Sequence, residues 1–175
     1  MGNLTGRMLV EQGIITNASA ECIAQHGVDL ELIKVDRLFG VGKIPKKGKT
    51  SLVQYKEVEL KESVSGIDTN GFPIFSSSWF LTPGTYQVTF KQGCKIPNDK
   101  MLLIRQRSSL LRNGTILHSS VFDAGFQTES MGTVIVVTTP IEIEYEARIA
   151  QIYAHNSLIV ENLYDGQWQN DKQRK

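Results

Sequence analysis

The chain has 175 residues, 41% of them hydrophobic, and a formal net charge of +1. That is enough apolar material for one domain with a core, and too little net charge for a field that would draw nucleic acid or an anionic membrane. No apolar run approaches the ~20 residues of a membrane-spanning helix.

The opening stretch MGNLTGRMLVEQG has too short an apolar run, broken by charge, to read as a signal peptide. Cys22 and Cys94 lie far apart without partners at metal spacing, and are read as free thiols of a reducing cytoplasm. Thr5 to Gly13 predicts a short helix, with Thr5 as cap, Met8, Leu9 and Ile14 at helical spacing, and Gly13 as terminator. Asn17 to Ala24 is a second short helical candidate. Val28 to Val35, VDLELIKV, alternates with the period of a half-buried strand. It sets Asp29 on the face opposite Val28 and Leu30, where a solvated carboxylate is the plain reading.

Phe39 to Thr50 reads as a solvated basic loop, with Lys43, Lys46, Lys47 and Lys49 set among Pro and Gly. Its Gly-x-Gly-Lys lacks the spacing and the following helix of a phosphate-binding P-loop. Leu52 to Leu60 alternates as a strand. Lys61 to Ser78, rich in Gly and Ser, reads as turns or a long connection. Trp79 to Leu81, the Pro83-Gly84 turn and Thr85 to Lys91 predict strand, turn, strand. Lys95 to Asp99 is a turn and Met101 to Ile104 a buried strand. Thr115 to Leu117, Thr133 to Thr138, Ile141 to Tyr145 and Ile149 to His155 complete the strands. Many short strands with regular turns predict an all-β fold, a distorted β-barrel or jelly roll with short N-terminal helices. Residues 1–160 form its single domain, and 161–175 a C-terminal tail.

The densest chemistry lies in RQRSSLLRNGTILHSSVFDAGF, Arg105 to Phe126. Arg105, Arg107, Ser108, Ser109 and Arg112 suit a polyphosphate, because guanidinium forks bond phosphate oxygens in pairs. Ser108 to Arg112 predicts one or two helical turns, with Ser108 or Ser109 as N-cap and Asn113-Gly114 as a left-handed terminator. Free N–H groups at such a helix start face an anion well. Asp123 is a carboxylate able to hold a water for attack on phosphorus. The alternative is a plain amphipathic helix followed by a turn and a strand. His26, His118 and His155 share no helix face and no metal spacing. Glu142, Glu144 and Glu146 read as one solvated strand face.

RSSLLRNG with FDAGF resembles the trimeric dUTPase and dCTP deaminase superfamily, with its Arg-Ser-Ser-Leu-x-Arg-x-Gly and Asp-x-Gly-aromatic elements. GVDLEL at Gly27 to Leu32 and ARIAQIYAH at Ala147 to His155 are similar to two further family motifs. YDGQWQ at Tyr164 to Gln169 is similar to the tail of the deaminase branch. The resemblance implies a cytoplasmic homotrimer with sites between subunits, a deoxynucleoside triphosphate as substrate, and Mg²⁺ arriving on the triphosphate. It implies that Asp123 activates water and that Arg107, Ser108, Ser109, Arg112 and Gln151 serve the phosphates. Asp29 would act on the metal indirectly, through water. Gly125, Phe126, Tyr164, Trp168 and Gln169 would meet the nucleotide.

Two reactions share that scaffold: hydrolysis of dUTP to dUMP and pyrophosphate, and deamination of dCTP. The resemblance implies that deamination uses a glutamate after the Asp-x-Gly-aromatic element, in a Gly-x-Ile-x-Leu-Glu strand. Here Gly132 to Val137 reads GTVIVV, and a valine moves no proton. Gln127 to Met131 lengthens the preceding segment, and its Glu129 falls in a predicted turn. The segment from His118 to Asp123 is two residues shorter than the deaminase pattern. Hydrolysis needs only a held triphosphate, neutralised charge and an aimed water, so a dUTP diphosphatase is the expected activity. A dCTP deaminase, alone or bifunctional, and a catalytically weak regulatory homologue are the alternatives. Two readings stand for the tail: a mobile charged terminus, or a segment in which Trp168 stacks on a base and Gln169, Lys172 or Arg174 reach phosphates.

Overall fold

The computed structural model describes residues 4–166, 168 and 169. Helix α1 spans Gly6–Glu11 and is capped as expected, the Thr5 hydroxyl accepting from Met8 N at 3.3 Å. After the short strand β1 (Ile15–Thr16), the second helical candidate reduces to one 3-10 turn, Ala20–Cys22. No helix is long and apolar enough to cross a membrane among the described residues.

Strand β2 runs from Val28 to Phe39, well past the predicted end at Val35. It continues because Asp36 to Phe39 pair with β3, Gln54–Glu57, which is all that forms of the predicted Leu52–Leu60 strand. The segment expected to be turns is instead a hairpin of β4 (Lys61–Ile67) and β5 (Pro73–Leu81). Its turn is built by Asp68, whose Oδ1 accepts from Asn70 N and Phe72 N, both at 2.8 Å, with Gly71 at φ +85°. Val64 and Phe75 pair across it yet remain exposed, at 60% and 63%. Neither face of the outer hairpin is covered, so its sequence carries no inside–outside alternation to reveal it.

Strands β6 (Gly84–Phe90), β7 (Gly93–Lys95), β8 (Lys100–Gln106), β9 (Thr115–His118) and β10 (Val121–Phe122) follow. So do β11 (Gln127–Thr128), β12 (Gly132–Val137), β13 (Ile141–Glu144) and β14 (Arg148–Asn156), with helix α2, Ser108–Arg112, between β8 and β9. The main sheet has the order β10-β8-β14-β2-β6-β12-β9, with β3 also on β2. Two three-stranded sheets, β1-β7-β11 and β13-β5-β4, complete the nearly all-β domain. Its core takes the inward residues Leu30, Leu32, Val88, Phe90, Leu102, Ile104, Ile135 and Ile152, each 2% exposed or less. Burying such side chains contributes about 1.5–3 kcal/mol each. Glu142 and Glu144 do share an exposed face, but Glu146 has left the strand. It sits in a turn at φ +58°, accepting from Lys91 Nζ at 2.6 Å.

Candidate active site

The Arg-Ser-Ser element sits where β8 leaves the sheet. Arg107 is extended and occupies the N-cap position; its N–H donates to Ile149 O at 2.9 Å, which ties it to β14. The predicted caps Ser108 and Ser109 are therefore the first two residues of α2, both exposed. Leu110 is buried and anchors the turn, Arg112 is exposed in its last turn, and Gly114 ends it at φ +68°. Arg105 lies on β8 two residues before Arg107, its Nε 3.4 Å from Tyr153 Oη.

Behind the serines lies Asp29, and it is not solvated. Its side chain is 8% exposed; Oδ2 meets Arg107 Nη1 at 3.1 Å and Oδ1 accepts from Gln151 Nε2 at 3.1 Å. Arg148 approaches the same oxygen at 3.9 Å. Alternation on β2 predicted only that Asp29 faces away from Val28. What covers that face, β14 and the end of β8, is a tertiary decision. A buried carboxylate ion-paired in this way fixes the guanidinium that faces it.

The second element is the turn at Asp123. Phe126 N donates to Asp123 O at 3.1 Å and Gly125 has φ +86°. This is a four-residue turn in which the third position needs glycine. The Asp123 side chain is exposed, while Ala124 and Phe126 are buried. Strand β7's continuation secures one side, Gly125 N donating to Ile96 O and Ile96 N to Phe126 O, each at 3.0 Å. The tail secures the other. Tyr164 N donates to Ala124 O at 2.9 Å, Gln169 Nε2 donates to Gly125 O at 2.9 Å, and Gln127 N donates to Gln169 Oε1 at 3.2 Å. The Tyr164 ring stands edge-on to Phe126, centroids 5.5 Å apart, and Phe126 packs on Phe122 at 5.6 Å. The described tail is thus docked on the Asp123 turn, and Trp168 is 41% exposed beside it. Lys172 and Arg174 lie outside the described residues.

Asp123, Phe126, Tyr164 and Trp168 share a cavity of about 710 Å³ with residues that pattern reading passed over. Lys34 and Asp36 of β2, Gln87 and Thr89 of β6, and Tyr55 of β3 also line it. The Asp36 side chain is 9% exposed, and its Oδ1 has the Lys34 ammonium at 3.3 Å as charge partner but no hydrogen bond. Burial alone would lower the pKa of Lys34; the carboxylates of Asp36 and Glu57 outweigh it and raise the pKa above 10.5. The signal for these residues was the extension of the β2 alternation beyond Val35, which places Lys34 and Asp36 on one face.

One chain does not join the two elements. Phe122 pairs with Leu102, so Asp123 falls beside Met101, whereas Arg107 follows six residues later along β8. At strand spacing that is about 20 Å. None of Arg107, Ser108, Ser109, Arg112, Gln151 or Asp29 lines the Asp123 cavity. Val137, at the position of a deaminase glutamate, is core, 2% exposed. Glu129 opens on a different cleft, with Thr16, Asn17 and Lys95. Among the described residues, no three His, Cys, Asp or Glu side chains gather as a metal cage.

A dCTP deaminase-like family model matches residues 3–156, a span that includes the Arg-Ser-Ser element and the Asp123 turn. The chain belongs to the dCTP deaminase-like family. Within this family it is similar to a probable deoxyuridine 5'-triphosphate nucleotidohydrolase of Halobacterium salinarum, 31% identical over 150 residues, covering 86% of this chain and 84% of that one. It is also similar to the deoxyuridine 5'-triphosphate nucleotidohydrolase of Methanocaldococcus jannaschii, 32% identical over 151 residues, covering 86% and 88%. The fold is that of the 2'-deoxycytidine 5'-triphosphate deaminase from Agrobacterium tumefaciens, with a TM-score of 0.60 at 16% identity. That match covers 87% of this chain, which spans about half of the larger deaminase chain, 48%.

Proposed function

We propose that this member of the dCTP deaminase-like family is a dUTP diphosphatase, hydrolysing dUTP to dUMP and pyrophosphate. The observation that carries the reading is the cavity at Asp123. It holds an exposed carboxylate, and among the described residues no glutamate lines it. Asp123 orients the water and takes its proton; Ser108 and Ser109 bind phosphate oxygens, and Arg107 neutralises their charge. Arg112 and Gln151 support the same end. Gly125 and Phe126 shape the cavity wall, and Tyr164 and Trp168 present rings to the base. Asp29 acts on the metal–phosphate complex indirectly, by fixing Arg107. The substrate is the Mg²⁺ complex of dUTP, an ion that keeps several waters and asks for few protein ligands. The scarcity of clustered carboxylates among the described residues suits that arrangement.

Reacting atoms must come within about 3–3.5 Å, and the two elements of one chain lie far beyond that. The site is therefore assembled between subunits of a homotrimer, Asp123 from one chain and Ser108–Ser109 from another. We infer a cytoplasmic enzyme, in keeping with the reading of Cys22 and Cys94, both buried, as thiols of a reducing compartment.

The second reading is deamination of dCTP, favoured by the family's own description and by the fold match. Its difficulty is the missing proton carrier, since Val137 is apolar and Glu129 faces elsewhere. Product analysis with dUTP and dCTP separately, in the presence of Mg²⁺, tests both. dUMP and pyrophosphate from dUTP alone are expected. dUTP or dUMP from dCTP would overturn the exclusion of deamination, and no turnover of either would leave a binding protein.

A further inference from the structure

The backbone around Asp123 offers six polar groups between Ala124 O and Gln127 N, and the tail engages three of them. Two of these three fall to one side chain. Gln169 donates from Nε2 to Gly125 O at 2.9 Å and accepts at Oε1 from Gln127 N at 3.2 Å. A carboxamide has the donor and acceptor of one peptide group, so Gln169 stands in for a residue of a neighbouring strand, bracketing Phe126. The molecule uses the same device elsewhere. Gln106 Oε1 accepts from Leu117 N at 2.8 Å while its Nε2 reaches Thr115 O at 3.5 Å, the same carbonyl-to-amide spacing on β9. There the glutamine belongs to a sheet strand. At Asp123 it arrives from 44 residues away.

The geometry around the clamp is specific to a docked tail. Trp168 N donates to Tyr164 Oη at 3.3 Å and Gln169 N to Gly166 O at 3.2 Å, which turns the tail back toward the loop. A side chain at Gly125 would meet Leu163 Cβ at 2.6 Å, so the turn and the tail fit only with glycine there. One N–H and one lone pair of the Gln169 amide remain after these bonds; the two that are used both go to the backbone of the turn.

We propose that Gln169 is a positioning residue: its amide clamps the Asp123–Phe126 turn, so that docking of the tail and alignment of the Asp123 carboxylate are one event. The proposal rests on the role of Asp123 given above. It places the tail's contribution in turnover, where a displaced catalytic group costs rate and leaves ground-state binding intact.

The test uses the full chain with Gln169→Ala and Gln169→Glu. Amide exchange at Gln127, followed residue by residue by NMR, reads the clamp without any substrate. Gln169→Ala is expected to speed that exchange about tenfold or more. Gln169→Glu keeps the acceptor for Gln127 N but sets a carboxylate oxygen against Gly125 O, and falls between the wild type and Gln169→Ala. With dUTP, Gln169→Ala is expected to lower kcat about tenfold with KM changed less than about twofold. Unchanged exchange at Gln127 in Gln169→Ala would overturn the clamp. A raised KM with unchanged kcat would overturn positioning and make Gln169 a nucleotide contact. If the wild-type protein turns over no dUTP, the functional reading fails, yet the exchange data still decide whether the clamp exists.

Discussion

The two chemical elements of this protein are built on opposite structural logic. The Arg107–Arg112 element is an extension of the main sheet. Its entry is bonded to β14, its helical turn is anchored by Leu110, and Asp29 of the adjacent strand β2 holds its arginine. The Asp123 turn is instead secured between a short strand and the C-terminal tail, through contacts 38 to 44 positions apart in the chain. The contacts named for the first element all come from residues before 156. The second is held by Ile96 on one side and by the tail on the other. Phosphate binding and turnover should therefore respond to different mutations.

The comparison breaks most visibly at Asp123. Asp123→Asn is expected to lower dUTP turnover by about 10²–10⁴-fold, the range for loss of a general base, with the exposed side chain leaving the thermal midpoint within a degree or two of wild type. Steady-state kinetics and a melting curve check both. Ser108→Ala combined with Ser109→Ala should act on the other element and raise KM, each lost charge-assisted bond weakening phosphate binding by about 1.5–3 kcal/mol.

Mixing sharpens the separation of the two elements. At dUTP far below the raised KM of the double serine variant, Asp123→Asn chains refolded with that variant should regain about one quarter of wild-type activity if sites form between randomly assorted subunits. Recovery absent despite confirmed co-assembly would mean that one chain closes its own site.

Gly125→Ala comes next. Its left-handed conformation costs a non-glycine residue about 1–2 kcal/mol, and the added Cβ clashes with Leu163. The expected result is a lower kcat with faster amide exchange at Tyr164, while exchange at Arg107 stays as in wild type.

The smallest effect concerns Lys34. Its folded pKa is raised, so its contribution to stability is present in full below its ordinary value of 10.5 and is lost as pH rises through the higher folded value. Lys34→Met should flatten that alkaline limb, seen as a thermal midpoint less dependent on pH above 10.5 than in wild type. The side chain is 41% exposed, which keeps the effect modest.

The local pattern of the sequence determined a good part of this molecule. Alternation wrote β2, because a strand with one buried face must repeat every second residue, and the Pro83-Gly84 turn marked the start of β6. Thr5 and its helix, the Gly114 terminator and the Arg107–Arg112 and Asp123–Phe126 elements were equally local, set by side-chain chemistry within a few positions. The β4–β5 hairpin escaped notice because neither face of its outer part is buried, so no alternation was selected, although Asp68 to Gly71 carried a turn signal. Only the tertiary structure decided that Asp29 is covered by Arg107 and Gln151, that Lys34, Asp36, Gln87 and Thr89 wall the cavity at Asp123, and that Gln169 closes on Gly125. Each of these is a pairing between groups far apart in the chain. Periodicity tells which way a side chain faces, and only the packed fold tells what it meets there.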